Sequence, residues 1–227
     1  METGAAAVTR WAMTFDLDRC IGCWACAVAC KAENSVGEGL WWQQVDSVGG
    51  TRRDIAAGTF PKPEKHYRPR NCFHCADPPC LPACPEGAIN QRPDGIVSID
   101  YDACTGCGEC IPACPYDAIG LNRTAPRLPH GLENGHGDAA VPPRPAGVAE
   151  KCTFCTHRLD RGEDPACMAA CPTQVISFGD LEDGNSTVAE HASRHTAHRP
   201  RESSGAQPSA WYLPYSIGSR QRRSGRS

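Results

Sequence analysis

The chain has 227 residues, a formal net charge of −3, 40% apolar residues and 7% aromatics. That length suits one large or two small domains, but so few aromatics cannot build a large side-chain core that supplies all the cohesion. The longest uncharged apolar run is far below the ~18 residues of a membrane-spanning helix, and 16 cysteines, beside 20 prolines and 22 glycines, are the outlying number.

Met1 to Phe15 lacks a basic start followed by an apolar segment, so no secretory signal is expected there, and Arg52-Arg53 lies too deep for a twin-arginine signal. The first cysteine run, "CIGCWACAVACK", spaces Cys20, Cys23, Cys26 and Cys30 as C-x2-C-x2-C-x3-C and ends in Lys31. Residues 34 to 65 carry Trp41-Trp42 and a turn at Gly49-Gly50. The tryptophans are read as cover for a metal group, an interface, or plain core. The second run, Cys72, Cys75, Cys80 and Cys84, is C-x2-C-x4-C-x3-C-P. Asp94-Gly95 between Ala88-Ile89-Asn90 and Ile96-Val97-Ser98-Ile99 predicts a two-stranded hairpin. The third run, Cys104, Cys107, Cys110 and Cys114, is C-x2-C-x2-C-x3-C-P. Residues 122–149 are rich in Pro, Gly and His and predict a loop or insertion, with His130 and His136 as solvated loop histidines rather than ligands. The fourth run, Cys152, Cys155, Cys167 and Cys171, is C-x2-C-x11-C-x3-C-P. Beyond it, residues 189–227 are polar and basic and predict an extended or disordered tail. "AWYLPY", Ala210 to Tyr215, stands in that tail as a candidate docking anchor.

Disulfides, zinc and iron–sulfur clusters all use cysteines in number. Cysteines bunched two or three residues apart rarely reach one another with disulfide geometry. Structural zinc favours two C-x2-C pairs across a longer loop, which only the fourth run resembles. The third run has the bacterial ferredoxin spacing, in which three thiolates wrap one cubane cluster and the fourth ligates a second one. Four such clusters need all 16 thiolates, and the chain has 16. "CPEGAI", "CPYDAI" and "CPTQVISF" repeat one unit: three-cysteine loop, short helix, fourth cysteine, proline, short strand. The fold class is therefore α+β and loop-rich, with nested ferredoxin-like modules of short strands and helices. The inner module covers 66–121, and the outer one is split into 12–65 and 150–188. If every fourth cysteine crosses over within its module, the ligand sets are Cys72, Cys75, Cys80 with Cys114; Cys104, Cys107, Cys110 with Cys84; Cys20, Cys23, Cys26 with Cys171; and Cys152, Cys155, Cys167 with Cys30. The rival is local pairing, the first run crossing to the second and the third to the fourth.

The four runs, with "RNCFHCADPPCLPACPEGAI", "DGIVSIDYDACTGCGECIPACPYDAI" and "EKCTFCTHRLDRGEDPACMAACPTQVISFGDL", resemble the four-cluster electron-transfer subunit of the dimethyl sulfoxide reductase family of molybdenum or tungsten bis-pterin oxidoreductases. The resemblance spans about residues 14 to 182. Some relatives replace the third cysteine of the second run and carry a three-iron cluster; Cys80 is present here, so the resemblance implies four [4Fe-4S] clusters. It implies a redox subunit without a catalytic site of its own, carrying single electrons between a molybdopterin-containing catalytic subunit and a membrane anchor subunit or soluble electron carrier. No nucleic acid is expected. Location would be cytoplasmic or membrane-associated through partners, with export only by co-translocation with a partner. The 122–149 insertion and the basic end depart from the family pattern. The alternatives are the corresponding subunit of a formate dehydrogenase or hydrogenase complex and, in another class, a zinc-stabilised interaction protein. Lys31, where the other runs have proline, offers an N–H and a positive charge beside Cys30, and is expected to raise the potential of the cluster that Cys30 serves.

Overall fold

The outer part of the chain closes on itself through one strand pair. In the computed structural model, which describes residues 8–50, 55–124 and 137–214, strand β1 (Trp11–Asp16) precedes the first cysteine run. It pairs antiparallel with β10 (Ile176–Asp180), which follows the last. Ala12, Met13, Thr14 and Phe15 are all fully buried, as a central strand covered on both faces requires. Trp11 stacks on Phe178 of β10 with ring centroids 5.2 Å apart.

The inner part lies between them. Strands β6 (Ile89–Gln91) and β7 (Val97–Ile99) form the antiparallel hairpin expected around Asp94-Gly95. Helix α2 (Cys110–Ala113) leads to β8 (Ile119–Asn122). Strand β8 pairs with β9 (Val148–Lys151), which runs directly into the fourth cysteine run. That strand takes the end of the stretch read from sequence as a loop insertion, because Val148 and Ala149 find an apolar bed and are buried. Strands β2 (Gln44–Val48) and β5 (His66–Arg70) form a further antiparallel pair, and β3 (Ala57–Thr59) and β4 (Lys62–Glu64) an exposed hairpin. The longest helix among the described residues is α1 (Ala25–Glu33), nine residues. Cysteines every few positions, followed by proline or αL turns, leave no room for longer ones.

The C-terminal segment differs from the tail expected from residue 189. Ser186 caps helix α5 (Thr187–Ser193), its hydroxyl accepting from the Ala189 N–H at 3.0 Å. Strand β11 (Ala210–Leu213) then lies parallel to β1 and covers its free edge. Ala210 to Leu213 are buried, and Trp211 packs with Ala12 and Val188. The aromatics of "AWYLPY" up to Tyr212 are therefore core, not a projecting anchor. Residues beyond 214, and His130 and His136, lie outside the described residues.

One apolar core joins both parts. Phe15 packs on Phe73 and Tyr212 with centroids 6.4 and 5.4 Å apart, and Phe154 meets Phe178 at 5.2 Å. Cysteines are interleaved with these side chains throughout. Trp42 is core, under the guanidinium of Arg144 at 4.7 Å, whereas Trp41 stays partly exposed against Trp24.

Candidate cluster-binding sites

Each three-cysteine loop is a tight path that needs left-handed backbone. Gly22 has φ +69, and a Cβ there would stand 2.5 Å from the Tyr67 ring. Gly106 has φ +72, and a Cβ there would overlap the Gly147 carbonyl. Both positions therefore admit only glycine.

The loops and helices bring the 16 cysteines together in four groups. Cys20, Cys23 and Cys26 line one small cavity with Cys171. Cys72, Cys75 and Cys80 line another with Cys114. Cys104, Cys107 and Cys110 line a third with Cys84. In the fourth group, the thiol of Cys30 faces those of Cys152, Cys155 and Cys167, all buried. Cys26 and Cys30 are one turn apart on α1, yet they serve different groups. Helix α4 (Ala166–Ala169), which packs against α1, carries Cys167, and Cys171 follows two residues past its end; these two also serve different groups.

The four groups form a chain of neighbours. Cys26 lies near Cys30 and Cys167, Cys72 near Cys152, and Cys80 and Cys110 share one apolar cluster. In the two terminal groups one cysteine reaches the surface, Cys23 in one and Cys107 in the other; neither interior group has an exposed cysteine. Exposed Ile21 and Val28 flank the Cys23 end.

As free thiols these groups are poorly placed to ionise. Burial first, then the neighbouring sulfurs, push Cys26, Cys80 and Cys152 up to about 12. Cys30 and Cys167 lie well above the ordinary thiol value for the same reasons. Four thiolates in so small a space need a polycationic centre between them, and a cubane iron–sulfur core supplies one. The donor set and the cages fit that group. Backbone amides also point at sulfur: Val175 N–H to Cys171 at 3.3 Å, Phe154 N–H to Cys152 at 3.4 Å and Ala149 N–H to Cys104 at 3.5 Å.

The structure adds polar residues that the spacing did not mark. Asn34 Nδ2 donates to Cys30 Sγ at 3.8 Å and to Cys155 Sγ at 3.7 Å. Asn71 Nδ2 donates to Cys152 Sγ at 3.7 Å. Their only sequence mark is position, one residue past the end of α1 and one before Cys72. Lys31 keeps its charge near Cys30 and makes further contacts that the spacing did not mark. Its ammonium donates to the carbonyls of Gly37 and of Leu40, the latter at 2.8 Å, and lies 4.7 Å from the Trp41 ring centroid. His157 and Arg158, also near this group, are taken up by Glu33 at 3.0 and 3.2 Å. Glu33, Asp138 and His157 converge as three potential metal ligands. The site already has its cations, since Arg158 pairs with Glu33 and Arg161 with Asp138 at 2.7 Å.

The known proteins and family models that match this chain are iron–sulfur ones. The family model of a 4Fe-4S dicluster domain matches residues 63–128 and 142–181, and a 4Fe-4S binding domain matches 13–33. A Halobacterium salinarum protein named as the iron–sulfur subunit of a dimethyl sulfoxide reductase is 42% identical over 212 residues, covering 91% of this chain and 79% of that protein. The arsenate respiratory reductase iron–sulfur subunit of a Shewanella species is 34% identical, over 90% of this chain and 96% of its own length. A polysulfide reductase subunit of Wolinella succinogenes is 33% identical, over 90% of this chain and 94% of its own length.

Proposed function

Because the chain belongs to the family of ferredoxin-like iron–sulfur subunits of dimethyl sulfoxide reductase-type enzymes, we propose that it carries single electrons between a molybdopterin-containing catalytic subunit and a second redox partner, a membrane anchor subunit or a soluble carrier. The observation that carries this reading is the row of four four-cysteine groups, buried in the middle and reaching the surface at both ends. When bound, [4Fe-4S] clusters supply one-electron carriers. The proposed ligand sets are the four groups above, with Cys30 serving the cluster of Cys152, Cys155 and Cys167.

The protein's own part is to hold, tune and shield. Thiolates from distant segments fix the clusters as neighbours. The aromatic core excludes water from the interior pair, and amides from Asn34, Asn71 and the backbone favour the more negative, reduced state. The Cys23 end, with Ile21 and Val28 exposed beside it, offers an apolar rim for a partner. Among the described residues no helix is long and apolar enough to cross a membrane.

The test is anaerobic purification from native cells without dissociating partners. About 16 iron and 16 acid-labile sulfides per chain are expected from 16 cysteines, together with a larger co-purifying chain that yields a pterin. Saturation near half that iron would refute the four-cluster assignment. A full iron complement in a complex without pterin would refute the partner.

A further inference from the structure

The middle of the molecule holds a buried cation that, among the described residues, pairs with no acid. Lys151 is 1% exposed. Its ammonium donates to the carbonyls of Val97 and of Cys152, the latter at 3.2 Å, and among the described residues no carboxylate forms an ion pair with it. Glu150, its neighbour on β9, points to the opposite face, where Arg144 takes it at 3.0 Å. An unpaired buried charge is costly, and the carbonyls it has found supply only dipoles.

Two interior cysteine groups surround it. Its charge acts on Cys152 in one and on Cys80 in the other. The strand β7 residue that accepts from Lys151 also donates its N–H to His74 Nδ1 at 2.9 Å, so Val97 fixes both side chains in the seam. His74 is thereby an acceptor at Nδ1 and brings no positive charge. Of the other cations near the Cys30 group, His157 and Arg158 pair with Glu33, and Lys31, held by loop carbonyls, faces Cys30 alone among the cysteines.

We propose that Lys151 is the shared counter-cation of the two interior clusters, raising both of their potentials together. Four thiolates leave each cluster net negative, and reduction adds one further electron. A fixed positive charge between two such centres, away from water, favours the reduced form of each. This rests on the four-cluster reading above.

The experiment is an EPR-monitored redox titration of the iron-replete protein, wild type against Lys151→Met, with iron counted in each. Iron content tests the four-cluster reading; the potentials test the proposal. Two of the four components should shift downward together, each with a fall of about tenfold in the reduced-to-oxidised ratio at fixed potential, about 59 mV for one electron. The other two should stay, and Lys31→Met should not reproduce the paired shift. An iron-replete Lys151→Met protein with unmoved potentials, or with one component moved alone, overturns the proposal. If Lys151→Met does not retain iron, Lys151→Arg decides. Full iron and wild-type potentials support a role of charge. Failure of the arginine variant to load, or to keep both potentials, shows that the residue serves shape and overturns the proposal.

Discussion

The side-chain amide of Asn34 lies 3.7 Å from the sulfur of Cys155, 121 residues further along the chain, and 3.8 Å from that of Cys30 one turn back. The same nitrogen donates to the Cys30 carbonyl at 2.9 Å. One buried amide thus ties the end of α1 to the loop of the fourth cysteine run. Asn34→Leu should therefore lower the potential of that cluster and cost about 1–3 kcal/mol of stability, the usual penalty for leaving buried partners unsatisfied. Thermal unfolding and redox titration of the anaerobic, iron-loaded variant would measure both. Unchanged values in a fully loaded variant would show that the amide does not act on these sulfurs.

The grouping of Cys30 with Cys152, Cys155 and Cys167 predicts a pattern of spectral loss. Cys30→Ala should perturb the same EPR component as Cys152→Ala, and Cys171→Ala the same one as Cys20→Ala. If Cys30→Ala instead matches Cys20→Ala, ligation follows the local run and the crossing is wrong.

Strand β11 is a structural member of the sheet, so its loss should be felt by the whole outer part. Tyr212 alone packs on Phe15 and Phe73 and donates its hydroxyl to the Pro69 carbonyl at 2.7 Å. Burial of Trp211, Tyr212 and Leu213 stabilises by about 1.5–3 kcal/mol each. Truncation before Gln207 should lower unfolding temperature and iron content below those of a chain truncated after Pro214. Equal stability of the two truncated proteins would contradict this.

The helix over that sheet should loosen in acid. Burial first, then the Arg194 charge, hold His191 below the ordinary histidine value, against the opposing pull of Glu190 and Asp16. Its Nδ1 lies 2.8 Å from Thr14 Oγ1 on β1. The folded state therefore favours the neutral ring. The stability this contributes is fully present above the unfolded value of about 6.5 and is lost as pH falls through the lower folded value. The drop in unfolding temperature between pH 8 and pH 5 should be smaller in His191→Gln than in wild type. An equal drop would remove His191 as a cause.

Among these features, those written in local spacing were legible without coordinates. The ligand chemistry of the cysteines follows from separations of two to four residues, broken only by the eleven between Cys155 and Cys167, and from the proline after three of the runs, since a loop around a cluster closes over a few residues and little else intervenes. The hairpin at Asp94-Gly95 was legible for the same reason. What only the tertiary structure decided depends on segments far apart in the chain. Which sulfurs Cys30 faces is settled by the packing of α1 on α4. Lys31, adjacent in sequence to Cys30, turns to carbonyls and to Trp41, because a flexible side chain goes where acceptors and an aromatic face lie. Lys151 instead sits in the seam, because the pleat of β9 points it inward while Glu150 points away. Four residues of β11 show too short a pattern to read as a strand; they become one because β1, some 200 residues earlier, leaves an edge whose hydrogen bonds must be made.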